Sequence, residues 1–233
     1  MKVVLFDIDG TLLWTDGAGR RAVQQALEEV FGTPVPQGHE FDGKTDPQII
    51  RELMMRAGVD EASIAERLPH ALDRYLALLR EELSSLEHTH RLFPGIAPLL
   101  DALESRDDVL LGLLTGNIAP GAAAKLRAVG LDPARFSIGA FGSDHASRPE
   151  LPAVARERAE LWLGHSVAGE DVVVIGDTPA DMSCGNAIGA RAIGVATGRY
   201  SVEQLSACAA GVVFQDLSDT DAVMQAILGA GYA

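Results

Sequence analysis

The 233-residue chain is short of positive charge: 19 lysines and arginines face 33 aspartates and glutamates, a formal net charge of −14. A surface this acidic repels the phosphate backbone of nucleic acid and anionic lipid headgroups, so neither nucleic acid nor a membrane is expected as a partner. The same charge repels a small phosphorylated ligand. A phosphate site would therefore need positive charge gathered locally, and a divalent cation is the obvious source. Cysteine is scarce too. With only Cys184 and Cys208 present, reduced thiols are expected rather than a disulfide framework. No apolar run approaches the roughly 18 residues of a membrane span. The first run, Val3-Val4-Leu5-Phe6, stops at Asp7, well short of the roughly 7–15 apolar residues of a signal-peptide core. A cytoplasmic protein is the expectation. Internal repeats and low-complexity tracts are also missing.

What is present is enough apolar material for a packed core, at 47% of residues against a usual level of about 45–50%. The length suits one domain, or a core domain with an insertion. Short β-rich runs occur at Val3–Ile8, Val109–Leu114, Phe136–Ala140, Val172–Ile175, Ala192–Val195 and Val212–Phe214. Val172–Ile175 is apolar throughout, as in a strand covered on both faces. Helical patterns fall near 95–105, 119–129, 150–163, 180–188 and 218–228. Strand–helix alternation with short links predicts an α/β fold, a doubly wound Rossmann-like parallel sheet with helices on both faces. The gap between the first two runs reads as helix instead, over 17–31, 46–57, 60–67 and 69–87. Its own amphipathic stripe includes Leu72, Tyr75, Leu76, Leu79 and Leu83. The expected organisation is a core domain of residues 1–14 and 91–233, with an all-helical cap of residues 15–90 inserted over the sheet's carboxyl edge. Phe93-Pro94-Gly95 marks the return hinge.

The residues that carry chemistry sit where strands end. The first run leads into Asp7-Ile8-Asp9-Gly10-Thr11, two carboxylates at the carboxyl end of a strand, where open α/β sheets place ligands. Val172–Ile175 leads into Gly176-Asp177-Thr178-Pro179-Ala180-Asp181, again acids at a strand end, with Pro179 suited to a first helical turn. Each acid alone reads equally as a turn residue or an N-cap. Converging on neighbouring strands, they repel one another unless a cation lies between them, and hard oxygen ligands suit Mg²⁺. The second run ends in Thr115-Gly116-Asn117, where a hydroxyl and helix-start N–H groups suit an anion. Arg148, before Pro149, would place a fixed positive charge beside acids and phosphate.

These four segments, in this order, resemble the haloacid dehalogenase superfamily: Asp-x-Asp-x-Thr, a strand ending in Ser or Thr, a basic residue, and paired acids after a strand. The insertion after the first motif is similar to the helical cap of phosphoglycolate phosphatases and β-phosphoglucomutases. Residues 43–50, Gly-Lys-Thr-Asp-Pro-Gln-Ile-Ile, resemble a substrate-facing cap segment of such phosphatases. The resemblance implies that Asp7 attacks phosphorus and forms an aspartyl-phosphate. It implies that Asp9 protonates the leaving oxygen and then activates water, with its backbone carbonyl on Mg²⁺. Thr115, Gly116 and Asn117 would hold phosphate oxygens, and Arg148 would be the basic group, where many members carry lysine. Asp177 would ligate Mg²⁺ with Asp7, and Asp181 would support the metal shell or the basic residue. Lys44, Thr45 and Arg20 are the candidates for contacting the leaving group. Hinges are expected near Leu13–Thr15 and Arg91–Pro94.

The implied function is a Mg²⁺-dependent phosphatase acting on a small phosphorylated metabolite, phosphoglycolate-like. The alternative is a sugar phosphomutase of the β-phosphoglucomutase type, with phosphonatase or dehalogenase chemistry further off because Asp9 supplies an acid those enzymes lack. Lys44 is the residue that would support a phosphonatase Schiff base. His88 and His90 lack a third ligand nearby and are not expected to bind metal, and His145 reads as a loop residue. Leu161 and Trp162 are expected to pack on the sheet, and Met54 and Met55 in the cap core.

Overall fold

The structure, a computed structural model, describes residues 1–208 and 211–229. In chain order the elements are β1 (Lys2–Phe6), β2 (Leu13–Trp14), α1 (Ala18–Phe31), α2 (Asp46–Arg56), α3 (Glu61–Ser84) and β3 (Arg91–Leu92). They continue as α4 (Ile96–Glu104), β4 (Val109–Thr115), α5 (Ala119–Ala128), β5 (Ile138–Phe141), α6 (Leu151–Leu163) and β6 (Val172–Gly176). The last are α7 (Pro179–Cys184), β7 (Arg191–Val195), α8 (Val202–Ser206), β8 (Val212–Phe214) and α9 (Thr220–Leu228).

Six strands form one parallel sheet in the order β5-β4-β1-β6-β7-β8. β1 therefore lies between β4 and β6, with Phe6 level with Leu113 on one side and Ile175 on the other. The pleat sends alternate side chains to opposite faces. Val4 and Phe6 join Leu111, Leu113, Val173 and Ile175 in a core closed by Leu99, Leu103, Val223 and Ile227 of α4 and α9. Val3 and Leu5 join Leu110, Leu114, Val172 and Val174 on the other face, closed by Leu151, Ala155 and Ala159 of α6. This two-faced burial is why the strands read as unbroken apolar runs. The fold is thus the doubly wound Rossmann-like sheet expected, with an inserted all-helical cap. α1, α2 and α3 bury Val23, Leu27, Ile50, Leu53, Met54, Ile64 and Leu79 in a separate core.

Both crossings between sheet and insertion run side by side. β2 and β3 pair antiparallel, Leu13 opposite Leu92 and Trp14 opposite Arg91, so the two expected hinge segments form one short ribbon.

Four expectations need correction. β1 ends at Phe6 rather than Ile8, because Gly10, Thr11, Leu12 and Leu13 turn back on Ile8 and one another. α3 is a single helix through Pro69, where two helices were expected. Proline removes one backbone hydrogen bond, but Ile64, Ala71, Tyr75 and Leu79 are buried on both sides of it and hold the helix. Leu161 and Trp162 are 78% and 62% exposed, not packed on the sheet. α6 buries Leu151, Ala155 and Ala159; Leu161 lies about 120° round the helix from Ala155, and Trp162, on the side of Ala155 but in the last turn, lies along an open groove with Phe136 and Ile138. Met54 is buried but Met55 is not; adjacent helical residues lie about 100° apart, so one core face does not take both.

Gly95 tests the sheet's packing, since its φ of +80° is left-handed and an added Cβ would fall on the Leu217 backbone. Gly95→Ala is expected to lower stability by about 2–4 kcal/mol in urea unfolding. An unchanged midpoint would contradict that close approach.

Candidate active site

The parallel register brings three strand ends to one level, and the acids follow directly. Asp7, just past β1, donates its backbone N–H to the Ile175 carbonyl at 2.9 Å, which fixes it against β6. Carboxylate oxygens of Asp7, Asp177 and Asp181 lie within 4.8 Å of one another, and all three residues are buried. Arg148, 4% exposed, reaches into this group from the turn before α6. Its Nη2 lies 3.1 Å from Asp7 Oδ1 and also donates to Asp181 Oδ1. Asp181 Oδ2 accepts from the Thr178 N–H and hydroxyl at 3.0 and 2.7 Å, a capping box at the start of α7. Asp177 Oδ1 accepts from the Thr11 hydroxyl at 3.1 Å.

A second cluster adjoins it at the end of β4. Asn117 Nδ2 donates to Thr115 Oγ1 and to Asp9 Oδ2, both at 2.8 Å. Lys125, 4% exposed on α5, donates to both Asp9 oxygens at 2.8 and 2.6 Å and to Asn117 Oδ1 at 2.6 Å. Sequence reasoning passed over Lys125. The signal was there: it falls within the α5 stripe that buries Gly121, Ala122 and Leu126, where a lysine needs a partner.

The helical insertion presses onto the same loops. The Asp46 N–H donates to the Gly116 carbonyl at 2.8 Å, and Asp46 Oδ2 accepts from the Ile118 N–H at 2.8 Å. Ser143 Oγ accepts from the Ala119 N–H. The helix start expected to take an anion is thus capped by a carboxylate of the protein itself, the usual preference of a helix N-terminus for negative charge. An added Cβ at Gly116 would fall on the Lys44 carbonyl, so only glycine admits this approach. Thr45 is fully buried behind the cavity wall, its hydroxyl donating to the Ala146 carbonyl at 2.6 Å. Lys44 pairs with Glu52 at 2.5 Å. Arg20 donates to the His39 carbonyl at 3.0 Å, and its guanidinium stands 3.9 Å from the Phe41 ring centroid. Asp7, Asp9, Thr115, Asn117, Arg148, Asp177, Lys44 and Arg20 all line one cavity of about 630 Å³. His145 is exposed, and the His88 ring lies beside Asp16 and Glu82.

A model of haloacid dehalogenase-like hydrolases matches residues 1–189. The chain belongs to that family. The hydrolase is 28% identical over 208 residues to a 5'-nucleotidase of Pseudomonas aeruginosa, covering 88% of this chain and 86% of that one. It is 28% identical over 223 residues to a phosphoglycolate phosphatase of Rhodospirillum rubrum, covering 93% and 88%. A crystal structure of a hydrolase from Pseudomonas syringae superposes with a TM-score of 0.74 at 20% identity, over 98% of this chain and all of that one, a likeness of fold.

The charges of this hydrolase are unbalanced around the three acids. Burial pushes the Asp7 carboxyl up to about 7, with Asp181 and Asp9 adding to the rise and Arg148 opposing it. Burial, then Asp181 and Asp7, lifts Asp177 well above the usual carboxylate range. Burial works against the Arg148 charge, but Asp181 and Asp7 more than offset it and raise its pKa. Three buried carboxylates with one guanidinium between them form a hard, oxygen-rich donor set, which suits a divalent cation.

Asp46 gives a separate handle on pH. Burial raises its pKa from 3.8 to about 6, with Lys125 opposing. The folded protein therefore binds this proton when the unfolded chain has lost it, so the stability contributed is complete below about pH 4 and is lost as pH rises to about 6. Asp46→Asn keeps an acceptor for the Ile118 N–H and removes the titration. Metal-free guanidinium unfolding of the variant should show a shallower decline from pH 4 to 6 than the parent; an identical slope would refute the assignment.

Proposed function

We propose that this hydrolase is a Mg²⁺-dependent phosphatase that cleaves a small phosphomonoester through a phosphoaspartate on Asp7. The observation that carries the reading is the Arg148 guanidinium, buried between Asp7 and Asp181 and beside Asp177, at the level where β1, β4 and β6 end. An attacking carboxylate and a phosphate dianion repel each other, so catalysis asks mainly for in-line placement and neutralised charge. Asp7 and Asp177, with the Asp9 backbone carbonyl, would hold Mg²⁺. The bound ion supplies positive charge to the phosphate oxygens.

The chain's own groups do the rest. Arg148 keeps its charge and can grip two phosphate oxygens while steering Asp7. Thr115, Gly116 and Asn117 face the remaining oxygens from the end of β4. Asp7 attacks phosphorus as Asp9 gives its proton to the departing oxygen, and Asp9 then takes a proton from the water that hydrolyses the phosphoaspartate. Asp181 holds Arg148 in place. Residues 15–90 act as the cap and residues 1–14 and 91–233 as the core, the cap closing on the β2–β3 ribbon to exclude water. Lys44 and Arg20 face the leaving group, whose class is taken to be a phosphoglycolate-like acid in the cytoplasm, with no nucleic acid or membrane involved. Lys44 already pairs with Glu52 at 2.5 Å, which disfavours a neutral amine for a phosphonatase Schiff base. Release of phosphate at the rate of ester loss separates the phosphatase from a sugar phosphomutase.

The test is phosphate release from glycolate, sugar, nucleotide and pyridoxal phosphates, with Mg²⁺ and with chelator. Hydrolysis of one ester is expected with Mg²⁺ only. Asp7→Asn should lower kcat on the order of 10³-fold or more, and the phosphorylated peptide from a quenched turnover should map to Asp7. Label on another residue, or activity retained in Asp7→Asn, would overturn the assignment.

A further inference from the structure

Lys125 is a buried cation that the proposed mechanism does not use. We infer that Lys125 is the positioning residue for the acid–base carboxylate, aiming Asp9 at the leaving oxygen through hydrogen bonds to both of its oxygens. The inference rests on the reading of Asp9 given above.

The geometry is specific. A lysine ammonium has three N–H donors, and Lys125 spends them on Asp9 Oδ1, Asp9 Oδ2 and Asn117 Oδ1, at 2.8, 2.6 and 2.6 Å. Asn117 in turn donates to Asp9 Oδ2 and to Thr115 Oγ1, each at 2.8 Å. The Asp9 side chain is 44% exposed toward the cavity, whereas that of Lys125 is 5% exposed. A half-exposed carboxylate on a turn would otherwise sample several rotamers. Charge-assisted bonds to both oxygens leave it one, at the junction of the phosphate-facing groups and the leaving-group space.

The roof over the ammonium comes from the helical insertion. An added Cβ on Gly19 of α1 would stand 3.3 Å from Lys125 Nζ and 3.7 Å from the Tyr75 hydroxyl. Asp46 of α2, half-buried, and Tyr75 of α3, buried, stand around it. The ammonium is therefore sealed only when the insertion is seated, so an aimed Asp9 and a closed site arise together.

In the step concerned, the Asp7 oxygen–phosphorus bond forms as the phosphorus–oxygen ester bond breaks, and the Asp9 proton moves to the departing oxygen. Asp9 recovers a proton from water in the hydrolysis that follows, while Lys125 keeps its three protons throughout. Misaiming Asp9 should therefore hurt a leaving group that needs the proton far more than one that leaves as a stable anion.

The test compares kcat/KM, which reports the steps through departure of the leaving group, for p-nitrophenyl phosphate and for the fastest alkyl phosphate in the ester screen. General acid catalysis is worth roughly 10²–10⁴-fold, so Asp9→Asn is expected to lose about 10²-fold more on the alkyl ester than on the nitrophenyl ester. Lys125→Met should reproduce that contrast to within about tenfold, and Lys125→Arg should recover part of it. Gly19→Ala, whose methyl crowds the ammonium from the cap side without touching Asp9, carries the test if Lys125→Met does not fold. Its alkyl-ester loss should again exceed its nitrophenyl loss. Equal losses on both esters in the folded Lys125 and Gly19 variants, with the contrast intact in Asp9→Asn, would overturn the role of Lys125 alone. No contrast in Asp9→Asn would overturn the acid role and this inference with it. No ester hydrolysed by the parent protein would overturn the phosphatase reading underneath both.

Discussion

The guanidinium of Arg148 is the charge on which the candidate site depends. Taking three carboxylates out of water costs several kcal/mol per ion unless opposite charge accompanies them. Arg148 supplies that charge from the turn before α6, meeting Asp7 from the end of β1 and Asp181 from α7. The sheet makes the meeting possible. Because β1 sits between β4 and β6 in parallel register, their carboxyl ends open onto one space, and the helices that follow start with their N–H groups beside it. One guanidinium does not balance three acids, and burial leaves Asp7 and Asp177 with raised pKa values. That deficit is what a divalent cation would fill.

The site divides its positive charge between two residues with different jobs. Arg148 is planar and always charged, suited to lying between two carboxylates and gripping phosphate. Lys125 is a compact ammonium with three donors, suited to holding one carboxylate and one amide in fixed relation. The clusters share no ion pair: Arg148 meets Asp7 and Asp181, and Lys125 meets Asp9. Asp7 and Asp9 lie two apart in the chain yet enter different electrostatic surroundings, as the nucleophile and acid roles proposed for them would require.

Much of this was legible in the sequence, for identifiable reasons. Val3–Phe6 and Val172–Ile175 are covered on both faces, so they read as apolar runs, and an acid directly after such a run marks where the chain leaves the sheet. The run of helix after Trp14 announced the insertion because its apolar stripe closes a core of its own. Less legible were residues whose meaning lies in a partner distant in sequence. Lys125 finds Asp9 across 116 positions. Asp46 caps the start of α5 across 72. Arg199 reaches Asp42 and Glu40 of the insertion at 3.0 and 3.4 Å. Each is an unremarkable charged residue until the fold closes. Pro69 misled for the opposite reason, because its local rule is strong and tertiary packing overrode it.

The same pairings bear on what the leaving group meets. Of six cationic side chains lining the cavity, Arg148 and Lys125 are engaged with the site's own aspartates, Lys44 faces Glu52, Arg199 faces Asp42 and Glu40, and Arg91, exposed on the β2–β3 ribbon, is paired with no carboxylate among the described residues. Arg20 instead rests on a backbone carbonyl and the face of Phe41. A carbonyl and a ring face stabilise a guanidinium without cancelling its formal charge, whereas a carboxylate cancels it. An anionic group on the far end of a substrate must therefore displace a carboxylate to reach Lys44 or Arg199, but meets uncancelled charge at Arg20 and, toward the β2–β3 ribbon, at Arg91. In a protein with a net charge of −14, that difference favours Arg20, held in place by a carbonyl and a ring face, with the exposed Arg91 beside the mouth, as the residues that would read the sign of the leaving group.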